Sequence, residues 1–150
     1  MGGSNKPKRL KTSTAYLSLG TNLGNREYNL LHACELIETF IGHITRKSKI
    51  IETQPLGFKS YNLFLNMCIA VETQLTPQQL LEKTQNIEIQ SGRTNKSHNG
   101  NYSDRIIDID ILLYDNLRIK TKQLTIPHPR MYERDFVMIP LSQIIDKNQK

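Results

Sequence analysis

Asp108 and Asp110 sit two residues apart inside "DRIIDIDILLY", residues 104–114, a run otherwise dominated by isoleucine and leucine. A strand sends successive side chains to opposite faces, so Asp104, Ile106, Asp108, Asp110 and Leu112 share one face. Ile107, Ile109, Ile111 and Leu113 fall on the other, which reads as the core side. Neighbouring carboxylates repel unless a cation or a shared proton intervenes. A solvated polar face would tolerate the pair, but one that also carries Ile106 and Leu112 is too apolar for open water and points to a cleft. Carboxylates without nearby Cys and with few His suit a hard cation such as Mg2+, which keeps several waters and takes one or two carboxylates plus substrate phosphates. A magnesium site is the first expectation.

The elements that must position this strand are readable upstream. "AYLSLG", residues 15–20, predicts a strand that ends in the turn-rich Gly-Thr-Asn-Leu-Gly-Asn. A helix is expected from about Asn25, because Leu30, Ala33, Cys34, Ile37, Phe40 and Ile41 recur at helical spacing and Gly42 can end it. "ITRKSKIIET" and "FLNMCIAVET" predict two strands joined by "QPLGFKSYN", too long for a tight hairpin. In "TPQQLLEKTQNIEIQ", Thr76 can cap a helix, Pro77 fits its first position and Gln79 completes a capping box. Leu80, Leu81, Thr84, Ile87 and Glu88 then fall on neighbouring turns. After Gly92, "RTNKSHNGNYSD" is polar and is expected to be a mobile loop.

Strand, helix, strand, strand, helix, strand is the split βαβ order of a ferredoxin-like α+β fold, an antiparallel sheet with both helices on one face. The tail "LTIPHPRMYERDFVMIPLSQI" adds a C-terminal extension that Pro127, Pro129 and Pro140 should break into short pieces. No repeat or linker divides the 150 residues, so a single stand-alone domain over 14–150 is expected.

No apolar run approaches the roughly 18 residues of a membrane span, and no signal-peptide core follows the amino terminus, so a cytoplasmic protein that avoids membranes is expected. Cys34 and Cys68 lie in apolar patterns without CxxC spacing and read as buried reduced thiols. The formal charge is +6, but Lys6, Lys8, Arg9 and Lys11 belong to "MGGSNKPKRLKTS", and removing those four leaves +2. Residues 1–13 are expected to be a disordered or added tail. The body suits an anionic small substrate better than a polyanion.

"SLGTNLGNR", "TQPLG", "FLN", "GR", "DRIIDIDILLY" and "IPHPRMYERDFVMIPL", in this order, resemble the 6-hydroxymethyl-7,8-dihydropterin pyrophosphokinase family of folate biosynthesis, from about residue 15 to 145. The resemblance implies transfer of the β,γ-diphosphate of ATP to the dihydropterin hydroxymethyl oxygen, giving AMP. It implies two Mg2+ ions on Asp108 and Asp110, and matches Arg93, Arg105 and Arg134 to arginines around the triphosphate, where a planar guanidinium suits phosphate. Arg93, Arg105, Asp108 and Asp110 are thus the catalytic set. Gln85, Glu88, Tyr102, Ile111, Thr125 and His128 match positions of the ATP pocket, and no Walker-type glycine loop is present. Thr53, Leu56, Phe64, Asn66 and Phe136 match the pterin pocket, two rings sandwiching the heterocycle while Asn66 reads its edge. A monomer is expected.

Departures from the family pattern cluster around the polar loop. "YSDR" stands where many members have Trp-Gly-Pro-Arg, Asn95 and Gln123 replace arginines, and Tyr102 is left as the stacking aromatic. The rival from another class is an RNA-binding module on the same fold. Neither "FLNMCIAVE" nor "IIDIDILLY" has its Gly-aromatic pattern, and sheet aspartates repel phosphate, so no nucleic-acid partner is expected. A metal nuclease would need further acidic or His ligands.

Overall fold

The computed structural model describes residues 11–54, 62–92 and 106–146. Strand β1 (Ser13–Thr21) leads into helix α1 (Arg26–Phe40), then β2 (Gly42–Lys47), β3 (Ile51–Thr53) and β4 (Phe64–Thr73). Helix α2 (Pro77–Gln90) and strand β5 (Asp108–Tyr114) follow. A small hairpin of β6 (Ile119–Lys120) and β7 (Thr125–Ile126) and helix α3 (Asp135–Ser142) come last. The main sheet runs β2-β4-β1-β5, all antiparallel, with β3 also paired to β4. This is the expected ferredoxin-like order.

Local chemistry explains the elements. The Asn25 side chain accepts from the Tyr28 N–H at 3.0 Å and starts α1. At α2 the capping box is complete: Thr76 Oγ1 accepts from Gln79 N at 3.2 Å, and Gln79 Oε1 accepts from Thr76 N at 2.9 Å. The run 44–53, expected as one strand, is instead split. Thr45 is an extra residue opposite β4, since Ile44 pairs with Val71 and Arg46 with Ala70. Ser48 then bridges the break, donating from N to Cys68 O and accepting from Cys68 N at Oγ, both at 2.9 Å.

Gly42 does not stop α1 by a left-handed turn. The helix ends at Ile41 in right-handed geometry, and Gly42 opens β2 where a Cβ would come within 2.1 Å of the Glu72 carbonyl oxygen. Pro140 also departs from expectation. It lies inside α3 and does not break it, because in so short a helix it removes only the donor to the Phe136 carbonyl. Burial of Val137, Pro140 and Leu141 holds the helix down.

The sheet is covered on both faces. On one face α1 and α2 pack Leu30, Ile37, Leu80 and Ile87 against Leu17, Leu19, Met67, Ile69, Ile109 and Ile111. On the other, the C-terminal extension adds α3, whose Val137 and Leu141 cover Tyr16, Cys68, Ala70, Leu112 and Leu113. Leu113 was expected on the first face with Ile109 and Ile111. The register explains the change: Tyr16 pairs with Leu113 but Leu17 with Ile111, so Leu112 is a bulge residue that turns Leu113 over.

Both cysteines are buried free thiols. Burial pushes Cys34 up, and pushes Cys68 up to about 12 against the opposing hydrogen bond from Ser18. Because the thiolate is the nucleophile, neither should react with an alkylating reagent in the native protein at about pH 8, and both should react in denaturant. Rapid native labelling of Cys68, followed by mass spectrometry, would contradict its placement under α3.

Candidate active site

The register of the sheet assembles the site. Asn66 on β4 lies opposite Gly20 on β1, and Gly20 lies opposite Asp108 on β5. One step along, Cys68, Ser18 and Asp110 form the next row. Strand β3 extends the first row, pairing Ile51 with Asn66 and Thr53 with Phe64. Directly opposed residues share a face, so Thr53, Phe64, Asn66, Asp108 and Asp110 stand together on the α3 side, next to the patch that α3 covers.

Asn66 is 4% exposed and donates from Nδ2 to Thr53 Oγ1 at 2.7 Å. Its Oδ1 lies 3.0 Å from where a Gly20 Cβ would stand, and a Phe64 ring carbon lies 3.6 Å from the same point. Gly20 is thus a site residue that sequence reading missed: the bare backbone there lets Asn66 and Phe64 settle on β1. The rings of Phe64 and Phe136 are half-buried, at the margin of the core and not inside it. Arg134, 7% exposed, stands at the start of α3 with its guanidinium 5.6 Å from the Phe136 ring centre, within cation–π reach.

Asp108 and Asp110 are half-buried. Asp110 opens into a cleft of about 240 Å3 along the outer side of β5, lined also by Leu81, Ile111, Lys122, Thr125 and His128. The β6–β7 hairpin and the loop behind it form the far wall. His128 anchors that wall, donating from N to Leu112 O at 2.9 Å. From α2, buried Glu88 reaches the strand between the two aspartates, its Oε2 accepting from Ile109 N at 2.8 Å. Of the residues expected around ATP, the cleft therefore gathers Ile111, Thr125 and His128. Glu88 is engaged with the strand backbone, Gln85 is exposed on α2, and neither lines the cleft. Gln123 lines it beside Lys122 at the hairpin tip. Leu56, Arg93, Tyr102 and Arg105, with Asn95, lie outside the described residues.

Electrostatics ties the groups together. Burial holds the His128 imidazole below its ordinary 6.5, Arg134 and Arg130 push the same way, and Asp108 opposes them. His128 Nδ1 accepts from Arg130 N at 3.2 Å, which assigns the proton of the neutral ring to Nε2. Since the folded state gives up this proton more readily than the unfolded chain, its stability contribution is full above pH 6.5 and is lost as pH falls through the lower folded value. His128→Asn should therefore flatten the acid-side fall in melting temperature between about pH 8 and pH 5. Parallel melting curves for variant and wild type would exclude that role.

Among the described residues no group of three or more His, Cys, Asp and Glu side chains could hold a metal ion. Two neighbouring carboxylates suit a cation that completes its shell with water and phosphate oxygens, as Mg2+ does. Among the same residues no helix is long and apolar enough to cross a membrane.

Fold and site together define a class: a ferredoxin-like domain whose sheet sets an acidic pair between the buried Asn66 of β4 and an open cleft beside β5. The profile of the family described as 7,8-dihydro-6-hydroxymethylpterin-pyrophosphokinase (HPPK) matches residues 16–146, and the chain belongs to that family. It is 47% identical over 130 residues to the 2-amino-4-hydroxy-6-hydroxymethyldihydropteridine pyrophosphokinase of Porphyromonas gingivalis, covering 86% of this chain and 88% of that protein. The Bacillus subtilis protein of the same name is 44% identical over 137 residues, covering 91% and 80%. Among solved structures, Plasmodium falciparum HPPK-DHPS with SDX-DHP superposes with a TM-score of 0.69 at 17% identity, a likeness of fold. This chain spans 41% of the length of that one and covers 91% of its own. The RNA-binding alternative receives no support from these matches.

Proposed function

We propose that this chain transfers the β,γ-diphosphate of ATP to the hydroxymethyl oxygen of 6-hydroxymethyl-7,8-dihydropterin, releasing AMP and the pterin diphosphate of folate biosynthesis. The observation that carries this is the shared row: Asn66, Gly20 and Asp108 are adjacent across the sheet, with the open cleft on the far side of Asp110. An acceptor held at Asn66 and a donor held in the cleft would meet at the acid pair.

The roles follow from the chemistry of each group. Asn66, braced by Thr53, reads the amide-like edge of the pterin, while Phe64 and Phe136, with Leu56, supply flat apolar surface. Ile111, Thr125 and His128 hold the nucleotide, His128 as a donor from Nε2, and Tyr102 joins them by family resemblance, whereas Gln85 and Glu88, matched to the same pocket, stand outside the cleft lining on α2. Arg134, Arg93 and Arg105 bind phosphate oxygens. Glu88 also fixes Ile109, and with it the spacing of the two aspartates. Asp108 and Asp110 would hold two Mg2+ ions, which when bound neutralise phosphate charge and bring reacting oxygens together. The protein's own share is positioning and water exclusion, which is most of what phosphoryl-type transfer asks of a protein. In this reading the chain acts as one monomeric, cytoplasmic unit, and the expected boundary after residue 13 moves, since Ser13 already belongs to β1 and pairs with Thr73.

AMP release from MgATP, with and without the pterin and with an EDTA control, tests the reaction. Pterin-dependent AMP that EDTA abolishes is the expected result. AMP formed equally without pterin, or none at all, would overturn it.

A further inference from the structure

Arg26 is the first residue of α1 and lies outside the site just described, yet it reaches both strands that carry the aromatic slot. Its Nη1 lies 2.7 Å from Glu52 Oε2 and donates to Leu63 O at 2.8 Å. Glu52 immediately precedes Thr53, and Leu63 immediately precedes Phe64. Thr53 and Phe64 are the last opposed pair of the β3–β4 ladder. One guanidinium thus clips the ladder at its last opposed pair. A second contact supports the same end: buried Asn22 donates from Nδ2 to Asn62 O at 3.3 Å. The clip borders a polar cleft of about 320 Å3 lined by Asn22, Gly24, Arg26, Glu52, Asn62 and Leu63.

We propose that Arg26 is a positioning residue for the pterin substrate: by bridging Glu52 and Leu63 it sets the separation of Thr53 and Phe64 and thereby the hydrogen bond by which Thr53 braces Asn66. This rests on the reading of Thr53, Phe64 and Asn66 as the pterin slot. An ordinary exposed ion pair contributes little, and the Arg26 and Glu52 side chains are 27% and 46% exposed. The geometry differs from that case because the same nitrogen also holds the Leu63 carbonyl, so its loss removes a main-chain contact as well as a side-chain one. The acid pair and the nucleotide cleft lie across β1 from this clip, so the effect should fall on one substrate only.

The test is steady-state kinetics with each substrate varied in turn, together with melting temperature. Arg26→Gln should raise the KM for the pterin roughly tenfold, the scale of losing one charge-assisted hydrogen bond, with the KM for ATP within about twofold. Arg26→Lys, which keeps the charge but not the fork, should recover part of the loss. Glu52→Gln should raise the pterin KM by a smaller factor, about threefold. A lowered melting temperature with both KM values unchanged, or a rise in both together, would overturn the proposal and leave Arg26 a structural staple. If Arg26→Gln does not fold, an unchanged pterin KM in Glu52→Gln overturns it. Asn66→Ala separates the two layers: if it too leaves the pterin KM unchanged, the slot itself is misread, whereas if it raises that KM and Arg26→Gln does not, only the role of Arg26 fails.

Discussion

Asp110→Asn is expected to stop AMP release while leaving the fold in place. Asp110 faces the cleft from an edge strand and belongs to neither apolar cluster, so a neutral side chain of the same shape costs the core nothing. It also removes one of two like charges spaced about 7 Å apart along the strand. The melting temperature should stay within a few degrees of wild type. Turnover should fall on the order of 10³-fold or more, because in the proposed reading one of the two carboxylates that would gather cationic charge against the phosphates is gone. The measurement is AMP release at saturating pterin and Mg2+, paired with a thermal melt. A folded variant within about tenfold of the wild-type rate would remove Asp110 from the reaction.

The largest effect on stability is expected far from the site, at Gly42→Ala. The added methyl would stand 2.1 Å from the Glu72 carbonyl oxygen and 3.1 Å from the Thr73 Cα. Those are backbone atoms of β4, which β1 holds from its other side, so the strain falls on the β2–β4 pairing. Overpacking of this kind costs about 3 kcal/mol, or roughly 6–12 °C in melting temperature for a domain of this size. Activity at low temperature should survive, since β2 carries no site residue. A melt unchanged within about 2 °C would mean that β2 can slide along β4 without penalty.

The contrast between these two positions shows what was legible in the sequence. The acid pair declared itself because charge on an otherwise apolar strand is costly and alternation is a short-range rule, valid from Asp108 to Ile111. The same rule failed at Leu113, two residues on, because the bulge at Leu112 arises from pairing with Tyr16 and Leu17, nearly a hundred positions away. The α2 capping box was readable because all its atoms lie within one turn. Gly42 was misread for the opposite reason: a glycine after a helix has a familiar local use, and its actual use is set by a neighbour on another strand. Gly20 and Arg26 gave no local signal, since their partners Asn66, Glu52 and Leu63 come near only once β1, β3 and β4 are assembled. Asn66 and its partner Thr53 are legible only through the family resemblance, which matches both to one pocket. The residues of the cleft wall, Lys122 and Pro129 among them, became visible only through the hairpin that folds back along β5.

That strand's place at the end of the sheet has a further consequence. An unpaired strand edge is a template on which another chain can add, the first step toward aggregation, and β5 cannot be covered by another strand without closing the cleft. Two single hydrogen bonds resolve the conflict. The Ile109 N–H is taken by Glu88 and the Leu112 carbonyl by the His128 N–H. An intruding strand would have to displace a buried carboxylate and lift away the hairpin wall before it could pair. At the opposite margin, β2 is exposed along most of its length and carries Arg46 and Lys47, charges that repel a second copy of the same edge. The contacts that border the cleft thus also occupy the edge on which a neighbouring molecule would pair.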